Sequence, residues 1–427
     1  MTVLVASLPV QSGASVMTRT EAVDLAIARS AELGQLQRTG ELARRLSRVG
    51  PYPFNPVISA ELEGASSPLS SREYVRRVSL EQEVDLRGER RARRTVGAAT
   101  ATLASHTVSA RREAIAAAVD EAVGRWLVAG ERRTLLAELV QHAASVQASV
   151  EAARRRETTT GFSVRLLRAD LAALQAEAAE AALEQDEAST VIRTWLGLSP
   201  GDSVSFVDDL DDSTWHCQPD SVLALAMRTR TDLKRAAAAE SLSIQRLELE
   251  RRLGRINPTF GVSAARERTS LGNFPLSGGG TVGPIEDTDT VVGVRASVPL
   301  PLGQRNQTAV GEAALEELRA RAERLGLDLT IAQEVLSACA AVARAEERRG
   351  LLAGVVGEAA ADLELTEAAY RGGRIPLEDY LTLRERLLRV RRDLLDATAA
   401  LENARTRLVR ATGLRREVIA HLPGREH

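Results

Sequence analysis

Aromatic residues and cysteines are scarce in this chain, and each scarcity excludes a class of protein. Only 3% of the 427 residues are aromatic while 44% are hydrophobic, and Ala, Leu, Arg and Glu dominate. That composition is typical of long helices packed by small side chains rather than of a compact mixed α/β enzyme. The two cysteines, Cys217 and Cys339, are too few for a disulfide framework. The net charge of -2 gives no indication of a nucleic-acid partner.

Long hydrophobic runs are also absent. No stretch of eighteen or more apolar residues occurs, which argues against a membrane-spanning helix but not against a membrane β-barrel. Residues 1–17 contain a short apolar stretch but lack the basic start of an export signal. We interpret them as a poorly ordered N-terminus or the remnant of a signal.

Motifs for catalysis and for phosphate binding are missing as well. The sequence has no glycine-rich loop with a lysine, no His-Glu-x-x-His, no Gly-x-Ser-x-Gly and no Cys-x-x-Cys. His216 and Cys217 lie beside several aspartates, which we interpret as a solvated acidic loop, and we interpret Cys339 as helix core. We therefore predict that the protein is not an enzyme and has no cofactor and no metal site.

The sequence does contain an internal duplication of a helix, two strands, a very long helix and a return helix. In each half the opening helix stops at an Asn-Pro pair, and a segment of alternating apolar and polar residues follows. The first repeat, 18–198, has an opening helix at 20–49, strands at about 57–63 and 75–86, a long helix at 88–156 and a return helix at 163–196. The second repeat, 221–414, has strands at about 259–267 and 290–300, a long helix at 304–370 and a return helix at 377–412. An inter-repeat segment, 199–220, and a C-terminal tail, 415–427, complete the prediction.

The predicted helices are longer than a single globular domain needs. At a rise of 1.5 Å per residue, each long helix would measure roughly 100 Å. In the last helix, apolar residues recur at alternating spacings of three and four, which predicts an unbroken heptad seam. The seam consists of Tyr380, Leu383, Leu387, Val390, Leu394, Ala397, Leu401, Ala404, Leu408 and Ala411.

Both long helices are predicted to reverse at a short turn. The second turn, 370–380, contains Gly372 and Gly373, which can end a helix, and Pro376, which suits the first turn of the next one. The first turn, 158–163, has only one glycine, Gly161. By the order of the elements, both turns lie at the helix ends that lead away from the strands.

The four predicted strands have one apolar and one charged face, which suits either a sheet on a soluble core or a lipid-facing barrel with a wet interior. The charged face carries Glu61, Glu63, Arg77, Glu81, Glu83, Asp85 and Arg295. Four strands cannot close a barrel, and unpaired edges are costly in lipid. Two copies would supply eight strands and three copies twelve, and the many inward charges favour twelve. The alternative is a small sheet that caps a soluble trimeric coiled-coil scaffold.

Three stretches resemble the TolC-like outer-membrane efflux proteins, and the similarity extends from about residue 18 to residue 414. They are Arg-Val-Ser-Leu-Glu-Gln-Glu-Val-Asp-Leu-Arg-Gly-Glu-Arg-Arg-Ala-Arg at 77–93, Val-Pro-Leu-Pro-Leu-Gly-Gln-Arg at 298–305 and Tyr-Arg-Gly-Gly-Arg-Ile-Pro-Leu-Glu-Asp-Tyr at 370–380. The resemblance implies a mainly α-helical homotrimer, in which a long α-helical barrel in the periplasm continues a twelve-stranded β-barrel in the outer membrane. Loops at 64–73 and 268–289 would then be extracellular.

The same resemblance implies a function and partners. The protein would be the outer-membrane channel of a tripartite efflux system and would meet a periplasmic adaptor, an inner-membrane pump and outer-membrane lipid. The Arg-Gly-Glu-Arg-Arg-Ala-Arg stretch at 87–93, between the second predicted strand and the long helix, is most similar to the branch of the family that exports heavy-metal cations. Drugs or a secreted polypeptide are the alternative cargo. The charged strand face would line the barrel lumen.

The helical turns would form the periplasmic tip, which closes the channel and contacts the adaptor. We expect Arg371, Arg374, Glu378 and Asp379 to form charge pairs there. The predicted tip residues are Arg155, Arg156, Glu157, Thr160, Gly161, Phe162, Tyr370, Arg371, Gly372, Gly373, Arg374, Pro376, Glu378 and Asp379.

Overall fold

Long helices dominate the fold, and the order helix, strand, strand, long helix, return helix occurs twice. The computed structural model describes the chain except for residues 1–14, 50–53, 68–69, 156–160, 211–213, 216, 272–273, 276–277, 283–284 and 422–427. The first repeat consists of β1 (Ser15–Met17), α1 (Arg19–Arg29), α2 (Ala31–Val49), β2 (Val57–Ser67), β3 (Ser70–Glu83), α3 (Glu89–Arg155) and α4 (Gly161–Leu196).

The second repeat follows a short connecting strand. The connecting strand is β4 (Val204–Phe206). The repeat itself consists of α5 (Pro219–Thr229), α6 (Thr231–Leu253), β5 (Thr259–Leu271), β6 (Phe274–Pro275), β7 (Thr281–Val282), β8 (Ile285–Ser297), α7 (Gln307–Arg371) and α8 (Leu377–Thr412), and α9 (Arg416–Ala420) lies in the C-terminal tail. The predicted N-terminal remnant therefore ends in a strand, since β1 pairs in parallel with β4.

Each opening helix is broken into two, which the sequence prediction of a single helix over 20–49 missed. Ser30 and Arg230 have non-helical backbone angles between the two helices of each pair. The Ser30 hydroxyl accepts a hydrogen bond from the backbone N–H of Leu33, 3.3 Å away, and so caps the second helix. A capping box between Thr18 and Glu21 starts α1.

Two compact units make up the chain, and each contains parts of both repeats. The first comprises Met1–Gln37, His106–Arg235 and Leu325–His427, and the second comprises Arg38–Ser105 and Ala236–Arg324. Because the long helices α3 and α7 each continue from one unit into the other, the repeats seen in the sequence are not separate compact domains.

The first unit has an apolar core that encloses charged residues. Ile115, Ile192, Ile331 and Leu408 are fully buried in its two largest apolar clusters. Between helices of the two repeats lies a buried ion-pair network in which Arg19 and Arg416 both contact Asp120 and Glu402. Such a network is tolerated in a core because every charge has an opposite partner.

The cysteines form a disulfide, which the count of two in the sequence did not predict. Cys217 in the inter-repeat segment is bonded to Cys339 of α7, with Cα atoms 5.6 Å apart and a sequence separation of 122. Trp215, two residues earlier, is buried in the same apolar cluster. The disulfide therefore attaches the inter-repeat segment to the long helix of the second repeat.

The heptad seam of α8 is buried over only part of its length. Ala397, Leu401 and Leu408 are buried as predicted. Nearer the turn, Leu383 is 41% exposed, while Arg384 and Leu388 are buried instead. The seam is therefore not continuous within one chain, because the buried face of the helix changes near Leu388.

Helix α7 contains a strongly apolar window. In the described part of the chain, its span Gln307–Tyr370 is the one helix long and apolar enough to cross a membrane by length and composition alone, and 28% of the apolar window is buried. Core helices of soluble proteins meet the same criterion. The prediction from the absence of long apolar runs therefore stays a prediction.

The second unit contains a four-stranded antiparallel sheet with the order β2-β3-β5-β8. Its strands are longer than predicted, since β2 and β3 pair as far as Ser67 and Ser70, and β5 and β8 pair as far as Leu271 and Ile285. The predicted loops at 64–73 and 268–289 are thus largely strand. Their polar residues concealed the alternation on which the prediction depended.

Candidate functional site

The turn between α7 and α8 ends the long helix with the glycine geometry that the sequence predicted. Gly373 has a φ of 68°, and the backbone N–H of Arg374 donates to the carbonyl of Ala369, 2.8 Å away. This is the hydrogen-bond pattern of a Schellman cap, which requires a residue in the left-handed region. Pro376 occupies the N-cap position of α8, without a side-chain hydrogen bond to the helix.

Two tyrosines connect this turn to the hairpin of the first repeat. The rings of Tyr370 and Tyr380 stack with their centroids 4.8 Å apart. Tyr380 is 2% exposed and belongs to an apolar cluster with Val146 and Val150 of α3 and Leu167 of α4. The turn of the second repeat is therefore packed against the first hairpin within one chain.

The four charges proposed for the tip lie at this turn. Arg374, Glu378 and Asp379 are exposed, and among the described residues none of them forms an ion pair. Arg371 is the last residue of α7. Their proposed pairing with other copies or with an adaptor stays a prediction.

An ion pair between a buried arginine and a partly exposed aspartate, which the sequence did not reveal, lies one turn further along α8. Arg384 is 5% exposed, and its Nη1 is 2.9 Å from Oδ2 of Asp170 on α4. Arg392 continues this contact with Glu177, at 3.0 Å. These pairs join residues more than 200 positions apart, so no local pattern in the sequence could indicate them.

Of the first predicted turn, only the flanking helix ends are described. Arg155 ends α3, and Gly161 and Phe162 begin α4. The predicted tip residues Arg156, Glu157 and Thr160 lie outside the described residues.

The charged face of the sheet forms a cross-strand network around Arg77. Nη1 of Arg77 is 2.9 Å from Oε2 of Glu61, and its Nη2 is 3.8 Å from Glu267. Nη1 of Arg295 is 3.5 Å from Oε1 of Glu81. Glu63 is exposed on the same face. Opposite charges on neighbouring strands stabilise the sheet and partly neutralise one another.

The last two predicted lumen residues have local structural partners at the start of α3. The carboxylate of Asp85 accepts hydrogen bonds from the backbone N–H groups of Glu89 and Arg90, at 2.8 and 2.9 Å. Glu83 accepts a 2.9 Å hydrogen bond from the side-chain amide of Asn257. Asp85 thus caps a helix, for which an acidic residue is well suited.

Small residues lie where the charged face is most crowded. Ala265 is 6% exposed, and a side chain at Gly261 or Gly293 would lie 3.0 Å from the side chain of Glu81 or Ser263. The opposite, apolar face is open, with Ile58, Leu62 and Val294 among its exposed residues. One crowded and one open face are expected of a sheet that curves toward its charged side.

The described residues contain no cluster of three or more His, Cys, Asp or Glu that could hold a metal ion. Cys217 is bonded to Cys339, so neither sulfur is a free thiolate ligand.

Paired helical hairpins and a sheet with one charged and one open apolar face are the combination that the resemblance to outer-membrane channels implies. The sequence model of the family described as Outer membrane efflux protein (OEP) matches residues 222–414, which is the second repeat. No curated protein sequence gives a significant match.

Solved structures of outer-membrane channels have the same fold over nearly the whole chain. The outer-membrane channel OprN is 17% identical, with 92% of this chain and 89% of that chain covered and a TM-score of 0.71. CusC is 13% identical, with 96% and 95% covered and a TM-score of 0.71. VceC of Vibrio cholerae is 16% identical, with 92% and 96% covered and a TM-score of 0.70.

Residues 222–414 therefore match the outer membrane efflux protein family, and the fold of nearly the whole chain is that of outer-membrane channels. The channels of that family are transport proteins of the outer membrane with a helical extension into the periplasm, and the location predicted for this chain is confirmed. The predicted resemblance to the outer-membrane efflux proteins is confirmed, and the outer-membrane location does not support the alternative of a soluble scaffold.

Proposed function

We propose that three copies of this chain form a single efflux duct whose β-barrel has twelve strands. The observation that carries this proposal is the state of the sheet edges. In the described part of the chain, β2 and β8 each pair on one side only, while the apolar face between them is exposed. In lipid, each unpaired backbone group costs several kcal/mol, so the edges must pair with other copies.

The number of copies follows from the charged face. Eight strands enclose an interior that side chains fill, whereas twelve leave room for water. Charged side chains are costly to bury unless they are solvated or paired. This applies to Glu61, Glu63, Glu81 and the two arginines on the charged face. A wet, twelve-stranded interior satisfies them, and it gives a transported molecule a path.

The helical tip is the gate of the proposed duct and its contact with a periplasmic adaptor, through which an inner-membrane pump delivers the cargo. The ion pair between the buried Arg384 and the partly exposed Asp170 holds the second hairpin against the first, and the exposed charges at 374, 378 and 379 are accessible to a partner. Opening the tip would separate α8 from α4 and break that pair.

For the cargo we propose cations, including heavy-metal ions, with drugs or a secreted polypeptide as the alternative. Acidic residues exceed arginines on the charged face, and a threefold repeat of that excess attracts cations. Asp85 contributes less to cation attraction than the sequence indicated, because its carboxylate already accepts hydrogen bonds from two backbone N–H groups.

Single-channel recording in planar bilayers tests the duct and the gate together. We expect a small resting conductance with cation preference for the natural protein, and a severalfold larger one for Arg384→Asp, which places two carboxylates together. The exchange variant Arg384→Asp with Asp170→Arg restores the pair and should restore the small conductance. Equal conductance in all three proteins would contradict the gate, and the absence of any channel would contradict the duct.

A further inference from the structure

Two arginines lie directly opposite each other on neighbouring strands of the four-stranded sheet. Arg76 of β3 is in register with Arg266 of β5, and both are exposed. Side chains two positions apart on a strand lie on the same face. Arg76 is two residues from Val78, and Arg266 is two residues from Ala264, so both arginines lie on the apolar face of the sheet. Like charges directly opposite on adjacent strands destabilise a sheet.

Neither arginine is neutralised by the residues around it. Among the described residues, Arg76 and Arg266 form no ion pair, and the guanidinium of Arg76 lies 4.9 Å from the centre of the Tyr74 ring. One row further along, Arg268 is ion-paired with Glu286, so the nearest carboxylate on this face is already engaged. The two guanidinium groups thus lack an anion.

The position of the pair indicates what that anion is. A row here is the set of residues that lie opposite one another across the four strands. The row of the two arginines also contains Leu62 and Thr290, and the next row toward the ends of the strands at Leu271 and Ile285 contains Thr288. On the other side, two consecutive rows are entirely apolar. They consist of Ala60, Val78, Ala264 and Val292, and of Ile58, Leu80, Val262 and Val294. At two residues per row, the arginines lie about 7 Å beyond the nearest apolar row.

We propose that Arg76 and Arg266 bind the phosphate group of an anionic membrane lipid. The inference rests on the proposed placement of this sheet face against lipid. A phosphate between the two guanidinium groups removes their repulsion and accepts hydrogen bonds from both planar forks. The adjoining apolar rows contact the acyl chain of the same lipid, which a free phosphate ion could not use.

Native mass spectrometry of the detergent-solubilised full-length protein measures this binding. Phosphatidic acid and phosphatidylcholine of equal chain length are titrated onto the natural protein and onto Arg76→Gln with Arg266→Gln. The natural protein should prefer phosphatidic acid, and the double variant should bind it about tenfold more weakly or worse. Arg295→Gln removes the same charge from the opposite face of the sheet and should leave phosphatidic acid binding unchanged.

Further measurements distinguish a wrong placement of the sheet face against lipid from a wrong assignment of the phosphate site. Incorporation of each protein into phosphatidylcholine vesicles is measured first, because a natural protein that stays outside them contradicts the placement against lipid itself. Incorporation with equal binding of both lipids, or equal loss in Arg295→Gln, overturns the phosphate site alone. Displacement of phosphatidic acid by millimolar inorganic phosphate would assign the site to a free anion and overturn the lipid assignment. If the double variant does not incorporate, Arg76→Gln alone is compared in the same way.

Discussion

At the scale of single residues, buried charges hold the two repeats together in the first unit. Oε1 of Glu402 lies 2.8 Å from Arg19 of the first repeat and 2.6 Å from Arg416 of the second. A side chain at position 124 would lie 2.7 Å from the same carboxylate, so Gly124 makes room for it. Burial alone would raise the pKa of the Glu402 carboxyl, but Arg19 and Arg416 outweigh burial and lower it.

Replacing Glu402 by Gln should destabilise the protein by about 3–5 kcal/mol, because two buried guanidinium groups lose a charged partner. Glu385→Gln, which removes a carboxylate from an exposed ion pair on the same helix, should cost under about 1 kcal/mol. Thermal unfolding in detergent measures both. Equal losses in the two variants would contradict a special role for the buried network.

The lowered pKa of Glu402 also predicts how stability depends on pH. The stabilisation by its ionised carboxylate is fully present above the unfolded value of 4.5, and it is lost as the pH falls through the lower folded pKa. The difference between the natural protein and Glu402→Gln should therefore shrink only in strong acid.

The contribution of Glu113 to stability depends on pH in the opposite direction from that of Glu402. Burial raises the pKa of its carboxyl, and hydrogen bonds from Thr231 only partly offset this. The folded state therefore holds the proton more tightly, and stability falls as the pH rises from 4.5 through the folded pKa. Glu113→Gln should raise the melting temperature at neutral pH and lose that advantage below the unfolded value. The exposed Glu131→Gln serves as control, and a lower melting temperature for Glu113→Gln at neutral pH would contradict the account.

At the scale of elements, the inter-repeat segment is attached to the helices by a covalent and an aromatic contact. The disulfide joins it to α7, and Trp215 lies 5.1 and 5.3 Å from the guanidinium groups of Arg405 and Arg416. The backbone N–H of Trp215 donates to Glu346 of α7, 2.7 Å away. The segment thus covers one side of the buried charges.

Removing the disulfide by Cys217→Ser with Cys339→Ser should therefore cost about 2–5 kcal/mol. A dithiol reductant, which donates two electrons and two protons to the disulfide, should lower the melting temperature of the natural protein by a similar amount. The double serine variant should not respond to the reductant. A natural protein whose unfolding is insensitive to reduction would contradict this role.

The elements also indicate how much the sequence alone could predict. Strand faces, long helices and the turn at Gly373 were predictable because alternation, helical periodicity and glycine chemistry are local. The Cys217–Cys339 bond and the Arg384–Asp170 pair were not, because each joins distant parts of the chain. Asp85 was assigned to the lumen because it continues the alternation of the strand. The strand ends at Glu83, however, and the carboxylate of Asp85 accepts hydrogen bonds from the first backbone N–H groups of α3.

At the scale of the whole molecule, the central claim is that three copies close one barrel through their sheet edges. Within one chain, β2 and β8 are separated by two strands, so residues on them are about 14 Å apart and cannot form a disulfide with each other. Any disulfide between these two strands must join different copies.

Disulfide trapping between β2 and β8 tests that claim most directly. Ser59→Cys is combined in turn with a cysteine at Val291, Gly293, Arg295 or Ser297, which lie on the same face, and the membranes are oxidised before denaturing electrophoresis. Because β3 is paired on both sides, Ser79→Cys with the same partners is the control. The account predicts that one or more Ser59 combinations give covalent species up to the trimer and no larger, while Ser79 gives none. Products that stop at the dimer, continue beyond the trimer or form equally with Ser79 would contradict it.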